Sequence, residues 1–126
     1  MSVENPIAKV RGMGSSGGGV SHWRSQRYSS LLLIPLSLWL LWLGVSIAGA
    51  DFETVKSAMS QPFNSGMAIM LAVTMFYHTQ LGLQVVIEDY VHIPALEVGL
   101  LLLVRVACLA AILISVIAAL ILVLGA

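Results

Sequence analysis

The sequence predicts an all-α membrane protein, a bundle of three transmembrane helices that run up, down and up. Hydrophobic residues make up 59% of the 126-residue chain and charged residues only 10%, whereas a soluble domain carries about 25% charged residues. The mean hydropathy is +0.97. Stretches without Asp, Glu, Lys or Arg cover residues 28–50, 57–87 and, apart from Arg105, 98–126. Each stretch is long enough to cross a hydrocarbon core of about 30 Å as a helix.

The first 21 residues are predicted to form a disordered tail that precedes the membrane-embedded part, residues 22–126. Five glycines lie among serines between positions 12 and 19. A segment of this composition cannot bury enough apolar surface to offset the entropy lost on ordering. Because the glycines precede no strand, a phosphate-binding loop is not expected.

The first span is predicted over residues 29–50, which is roughly 33 Å of helix at about 1.5 Å per residue. Pro35 falls in its second turn and leaves the carbonyl of Leu31 without a backbone donor, so a bend is expected there. Residues 51–62 form a short, faintly amphipathic connection to the next span.

The second and third spans are predicted over residues 63–87 and 96–124, joined by the acidic loop 88–94. Short connections between three helices favour antiparallel neighbours. Lysine and arginine mark the inner side of a membrane. Four of them precede the first span, whereas the loop after it holds only Lys56. We therefore expect the N-terminus and the loop 88–94 inside and the C-terminus outside.

Charge and cysteine content exclude several other classes of protein. The net charge is zero and four of the six basic residues precede Tyr28, so the chain lacks the basic face that nucleic-acid binding requires. Cys108 is the one cysteine, which excludes an internal disulfide and a cysteine zinc site.

His78 is the strongest candidate for chemistry because it lies deep in the second span, roughly 13 to 15 Å from the inner end at about 1.5 Å per residue. A polar side chain there needs a partner. That partner is either a hydrogen bond to a neighbouring helix or a metal ion. Gly82, one turn further on, leaves space for a flat macrocycle bound through the imidazole, although it also suits close helix packing. One histidine supplies one axial ligand, so a six-coordinate haem would take the other from a second chain.

Charged and phenolic residues mark the inner ends of the spans. Arg27, and more loosely Arg24, stands where haem propionates could emerge, or simply sets the topology. Tyr90 and Asp89 close the second span; they are either interface residues or a hydrogen-bond donor and proton carrier for a quinone. Arg105 lies inside the third span, where it could snorkel inward, pair with Glu97 or meet an acidic group of a partner.

The segment from His78 to Tyr90, HTQLGLQVVIEDY, resembles the hallmark of the succinate dehydrogenase hydrophobic membrane anchor subunit of the alphaproteobacterial and mitochondrial type. In that family a haem-ligating His precedes a Gly and an Asp-Tyr pair at the spacing of His78, Gly82, Asp89 and Tyr90 here. The leader HWRSQRY, from His22, is also similar to the family, and the likeness continues through the third span.

The resemblance implies that the chain pairs with a second three-helix anchor, the cytochrome b subunit, and that the two hold one haem b. Together they would bind an iron-sulfur subunit and a flavoprotein subunit at the inner face. Electrons from succinate would then pass to ubiquinone, which links the tricarboxylic acid cycle to the respiratory chain. In this sequence His78 would be the axial ligand, Tyr90 the quinone hydrogen-bond donor with Asp89 beside it, and Arg27 a propionate contact.

The chain alone would be non-catalytic, and it would be a multi-pass protein of the bacterial inner membrane or, in a eukaryote, of the mitochondrial inner membrane. Two other functions stay open. The chain could be a structural or assembly subunit of another membrane complex, without haem. It could also be a transporter or proton-channel component that uses His78 and Arg105 as a relay, although the spans offer few polar residues to line a water-filled path.

Overall fold

The structure, a computed structural model, describes residues 19–125. The helices in this part of the chain are α1 (Gly19–Ser46), α2 (Phe52–Ser60), α3 (Pro62–Tyr90) and α4 (Pro94–Leu124). No strand occurs within it. The predicted all-α class is confirmed.

Three of these helices, α1, α3 and α4, are long and apolar enough to cross a membrane. They contain 28, 29 and 31 residues. At about 1.5 Å per residue each is more than 40 Å long, which exceeds a hydrocarbon core of about 30 Å. The helices therefore extend into the headgroup zone or cross the membrane at a tilt.

Helix α1 differs in its bounds from the predicted first span. It begins at Gly19 rather than at residue 29 and ends at Ser46 rather than at residue 50. The basic and aromatic leader is therefore helical, because an apolar run marks where the membrane is and not where backbone hydrogen bonding begins. Pro35 lies inside the continuous helix. Gly49, with a φ of 78°, provides the left-handed turn after it.

The predicted N-terminal tail is described only over residues 19–21, which belong to α1. Residues 1–18 lie outside the described part.

The connection after α1 contains a helix of its own, α2. Asp51 precedes its first turn, and the hydroxyl of Thr54 donates to the Asp51 carboxylate. This hydrogen bond holds the pKa of Asp51 below its ordinary value.

The last carbonyls of α2 are bound by the first turn of α3. Asn64 Nδ2 donates to the Ala58 carbonyl at 2.8 Å, and Ser65 Oγ donates to the Met59 carbonyl. Both donors are buried side chains. The carbonyls at a helix end have no partner within the helix, so these contacts attach α2 to α3.

Helix α3 is central among the long helices. Helices α1 and α4 pack against α3, and across residues 19–125 α1 makes no contact with α4. The three long helices thus form a row with two broad apolar faces, and α2 contacts α3 and α4 at one end. Most large apolar side chains are exposed on these faces.

The interface between α1 and α3 holds most of the buried side chains. Leu36, Trp39 and Leu43 lie along one stripe of α1. Apolar burial drives helix association only weakly in lipid, so close packing and hydrogen bonds between helices matter more. Trp39 Nε1 donates to Asn64 Oδ1 at 3.3 Å. This contact joins α1 to the start of α3.

Candidate functional site

His78 lies at the other end of the interface between α1 and α3, and both of its ring nitrogens contact α1. Its Nδ1 is 2.8 Å from Ser29 Oγ. Its Nε2 is 3.3 Å from Nε2 of Gln26. His78 is half-buried, whereas Ser29 is buried. His78 therefore has hydrogen-bonding partners on a neighbouring helix. This is one of the two interpretations of His78 given above; the other was a metal ion.

Gln26 covers the side of α3 on which a macrocycle is expected. A Cβ atom placed on Gly82 would lie 3.7 Å from Gln26 Nε2. The same amide group thus lies beside His78 and beside Gly82. Its oxygen, Oε1, is buried and has no hydrogen-bond partner in the described part of the chain. This side chain is held by one long hydrogen bond, so it can be displaced at little cost.

An open cleft of about 930 Å³ lies between the N-terminal part of α1 and the C-terminal half of α3. Gln26 and Gly82 line it, and Gln84 and Glu88 continue the lining along α3, whereas His78 lies behind Gln26 and does not line the cleft. His22 lines it from α1, and its Nε2 is buried without a partner among residues 19–125. Cofactor pockets commonly measure about 300–1,000 Å³. The cleft therefore has the size and the unpaired polar atoms of a binding site.

Arg27 does not line this cleft. Its guanidinium carbon lies 4.8 Å from the centre of the Trp23 ring in a cation–π contact. Arg27 precedes Ser29 by two residues, which at about 100° per residue puts it on nearly the opposite side of α1. Both Arg27 and Arg24 are exposed. The structure does not bring Arg27 next to His78.

Tyr90 and Asp89 lie at the exposed C-terminal end of α3, and Tyr90 is 79% exposed. They are about 18 Å along the helix from His78 at about 1.5 Å per residue. Neither side chain has a hydrogen-bond partner in the described chain; the backbone carbonyl of Tyr90 lies 3.1 Å from His92 Nδ1. The structure thus separates His78 and Gly82 from this phenol and carboxylate.

Arg105 is exposed on α4, and it forms no ion pair within residues 19–125. The suggested pair with Glu97 is not formed. No group of three or more His, Cys, Asp or Glu residues in the same range could hold a metal ion. His78 is therefore not part of such a cluster among the described residues.

Ser29 and Gln26 are site residues that sequence reasoning missed. Both belong to the leader and the start of the first span, which the sequence marks only as a membrane boundary. A signal existed, because a polar pair three residues apart lies on one face of a helix. The sequence did not say that this face meets α3.

Comparison with known proteins identifies the family to which the chain is similar. The profile of the succinate dehydrogenase/fumarate reductase transmembrane subunit family matches residues 1–123. The succinate dehydrogenase hydrophobic membrane anchor subunit of Rickettsia bellii is 33% identical over 99 residues, which is 79% of each chain. That of Rickettsia conorii is 31% identical over 113 residues, 89% of this chain and 90% of the relative.

A relative from outside the genus Rickettsia is also similar. The succinate dehydrogenase membrane anchor subunit of Reclinomonas americana is 33% identical over 91 residues, 70% of this chain and 76% of that protein. No solved structure gives a significant match. The resemblance inferred from the segment 78–90 is confirmed at the level of the family.

Proposed function

The chain belongs to the succinate dehydrogenase/fumarate reductase transmembrane subunit family, and we propose that it is the hydrophobic membrane anchor subunit of a succinate:quinone oxidoreductase, respiratory complex II. Two observations together support the proposal. Relatives of that name match most of the chain, and the chain has three helices long enough to cross a membrane. Its role would be to hold a flavoprotein and an iron-sulfur subunit at the inner face, beside a cytochrome b subunit.

The residues around His78 fit a haem b. Ser29 binds Nδ1, which leaves Nε2 directed to the side of α3 where Gly82 has no side chain. The Gln26 amide is the group that has to move, and a hydrogen bond of this kind contributes only about 0.5–1.5 kcal/mol. His78 would then supply one axial ligand and the cytochrome b subunit the other. Bound there, the haem supplies an iron that carries one electron at a time.

Arg27 is proposed as a contact of a haem propionate. Its guanidinium is exposed and is engaged by Trp23 alone among the described residues. Since Arg27 faces away from α3, the contact would form at the boundary with the cytochrome b subunit. A guanidinium matches a carboxylate with two parallel hydrogen bonds.

Tyr90 and Asp89 are proposed to belong to the ubiquinone site. Both side chains are exposed at the end of α3 and free of partners within the described chain. A phenol can donate a hydrogen bond to a quinone carbonyl, and a nearby carboxylate can pass on the proton that reduction requires. If the N-terminus lies on the cytoplasmic side of the bacterial inner membrane, or in the mitochondrial matrix, this end of α3 lies at the same inner face. Electrons from succinate would arrive there.

The test is purification of the full chain in mild detergent and identification of the proteins that accompany it. We expect a flavoprotein, an iron-sulfur protein and a second three-helix anchor. Reduced-minus-oxidised absorption should show a b-type haem, and His78→Ala should lose it while dye-linked succinate oxidation by the attached subunits persists. His92→Ala, an exposed histidine, is the matched control and should keep the spectrum. An unchanged spectrum in His78→Ala would favour an assembly subunit without haem.

A further inference from the structure

We infer that Ser29 is a positioning residue for His78: its hydroxyl sets the imidazole tautomer and the ring orientation, so that Nε2 is presented to the haem iron. This inference rests on the proposed function, because it takes His78 as the axial ligand. Ser29 is on α1 and His78 on α3, so the ligand is oriented by a neighbouring helix.

The hydrogen of the Ser29 hydroxyl is already used. Ser29 Oγ donates to the backbone carbonyl of Gln26 at 3.0 Å. A hydroxyl has one hydrogen, so toward His78 the oxygen can only accept. With the hydroxyl donating to that carbonyl, the 2.8 Å separation from Nδ1 assigns the imidazole proton to Nδ1. Ser29 is 6% exposed, so bulk water does not compete for this contact.

A second contact requires the same tautomer. Gln26 Nε2 lies 3.3 Å from His78 Nε2, and an amide nitrogen donates. Nε2 of His78 must then carry a lone pair, as it must when it binds iron. The opposite tautomer needs two changes at once: the Ser29 hydroxyl has to leave its carbonyl, and the Gln26 amide has to turn over. The two contacts to α1 thus prepare the ring nitrogen that a metal uses.

The consequence for haem follows from how metal-bound histidines behave. The ring nitrogen that does not bind the metal usually donates to a fixed acceptor, which orients the ring and makes the ligand more basic. A more basic ligand favours ferric over ferrous iron, so loss of the acceptor should raise the midpoint potential. Loss of such a partner typically costs about 10- to 100-fold in metal affinity.

The test compares Ser29→Val with Ser29→Thr in the purified complex. The two introduced side chains have nearly the same shape and differ by a hydroxyl. Ser30→Ala is the matched control, because Ser30 Oγ donates to the Arg27 carbonyl at 2.8 Å in the same way but does not reach His78. The readouts are the rate at which haem passes to an apo-globin acceptor, the haem midpoint potential and the electron paramagnetic resonance spectrum of the ferric haem.

We expect Ser29→Val to release haem at least about tenfold faster and to have a more positive potential and a changed ferric spectrum. Ser29→Thr and Ser30→Ala should resemble the wild type. If Ser29→Val also resembles the wild type, the positioning role is wrong while the proposed function stands. Equal disturbance in the Val and Thr variants would also contradict it, since the hydroxyl would not be responsible. A wild-type complex without b-type haem would instead overturn the haem proposal itself.

Discussion

Gly82 is the position at which helix stability and cofactor binding should respond in opposite directions. It lies in the interior of α3 and is partly exposed toward the cleft. In Gly82→Ala the new methyl group would lie 3.7 Å from Gln26 Nε2, which is an ordinary van der Waals contact. Alanine also orders a helix at lower entropic cost than glycine, by about 0.5–1 kcal/mol. We therefore expect the free energy of unfolding to rise by about that amount.

Haem binding should fall with the same substitution. The methyl group occupies the side of α3 next to His78, where a flat macrocycle bound through Nε2 would have to approach the helix. Gly82→Ala should lower the haem content of the complex, and Gly82→Leu should nearly abolish it. Gly66 lies in the same helix with nothing within 4 Å of a Cβ built on it, so Gly66→Ala and Gly66→Leu are matched controls that should keep haem.

Two measurements separate these effects. Unfolding of the full chain in mixed micelles, followed by far-ultraviolet circular dichroism during titration with dodecyl sulfate, reports stability. The reduced-minus-oxidised spectrum, normalised to total protein, reports haem. If both Gly82 variants hold as much haem as their Gly66 counterparts, no macrocycle lies against this face of α3. If Gly82→Ala unfolds more readily than the wild type, there is no room for a methyl group beside Gly82, contrary to the 3.7 Å distance described above.

Three further predictions concern the two ends of α3. The hydrogen bond between Trp39 and Asn64 can be tested in a double-mutant cycle with Trp39→Phe and Asn64→Leu. We expect a coupling energy of about 0.6 kcal/mol, in the range measured between membrane helices. A coupling energy of zero would exclude the bond. Asn64→Leu alone should cost more than Trp39→Phe, measured by the same titration, because the Ala58 carbonyl also loses its donor. Tyr90→Phe should impair quinone reduction while dye-linked succinate oxidation stays intact. Tyr28 is also an exposed tyrosine, and Tyr28→Phe should affect neither activity. Normal quinone turnover in Tyr90→Phe would show that the phenol is not part of the quinone site.

The arrangement of helices is compatible with the proposal that the haem site is shared between two chains. Because α1 and α4 lie on either side of α3 without meeting, the row leaves both faces of α3 accessible to other molecules. A closed three-helix bundle would have enclosed His78 and Gly82. The cleft between α1 and α3 is instead open, and the proposed haem would be reached there by a second protein chain.

The sequence by itself determined the membrane class, the number of spans and the family, because each depends on composition or on spacing along one helix. Charged residues are too costly in lipid to be placed freely, so their absence marks the spans. The spacing of His78, Gly82 and Tyr90 belongs to a single helix and can be counted directly.

Only the tertiary structure decided which residues of α1 meet His78. The choice of Ser29 and Gln26, and the position of Arg27 on the far side, depend on the rotation of α1 about its axis relative to α3. A helix in lipid is apolar all round, so it has no polar, solvent-facing side that would fix its rotation. It is set by close packing and by a few hydrogen bonds between residues distant in sequence, such as Ser29 with His78 and Trp39 with Asn64.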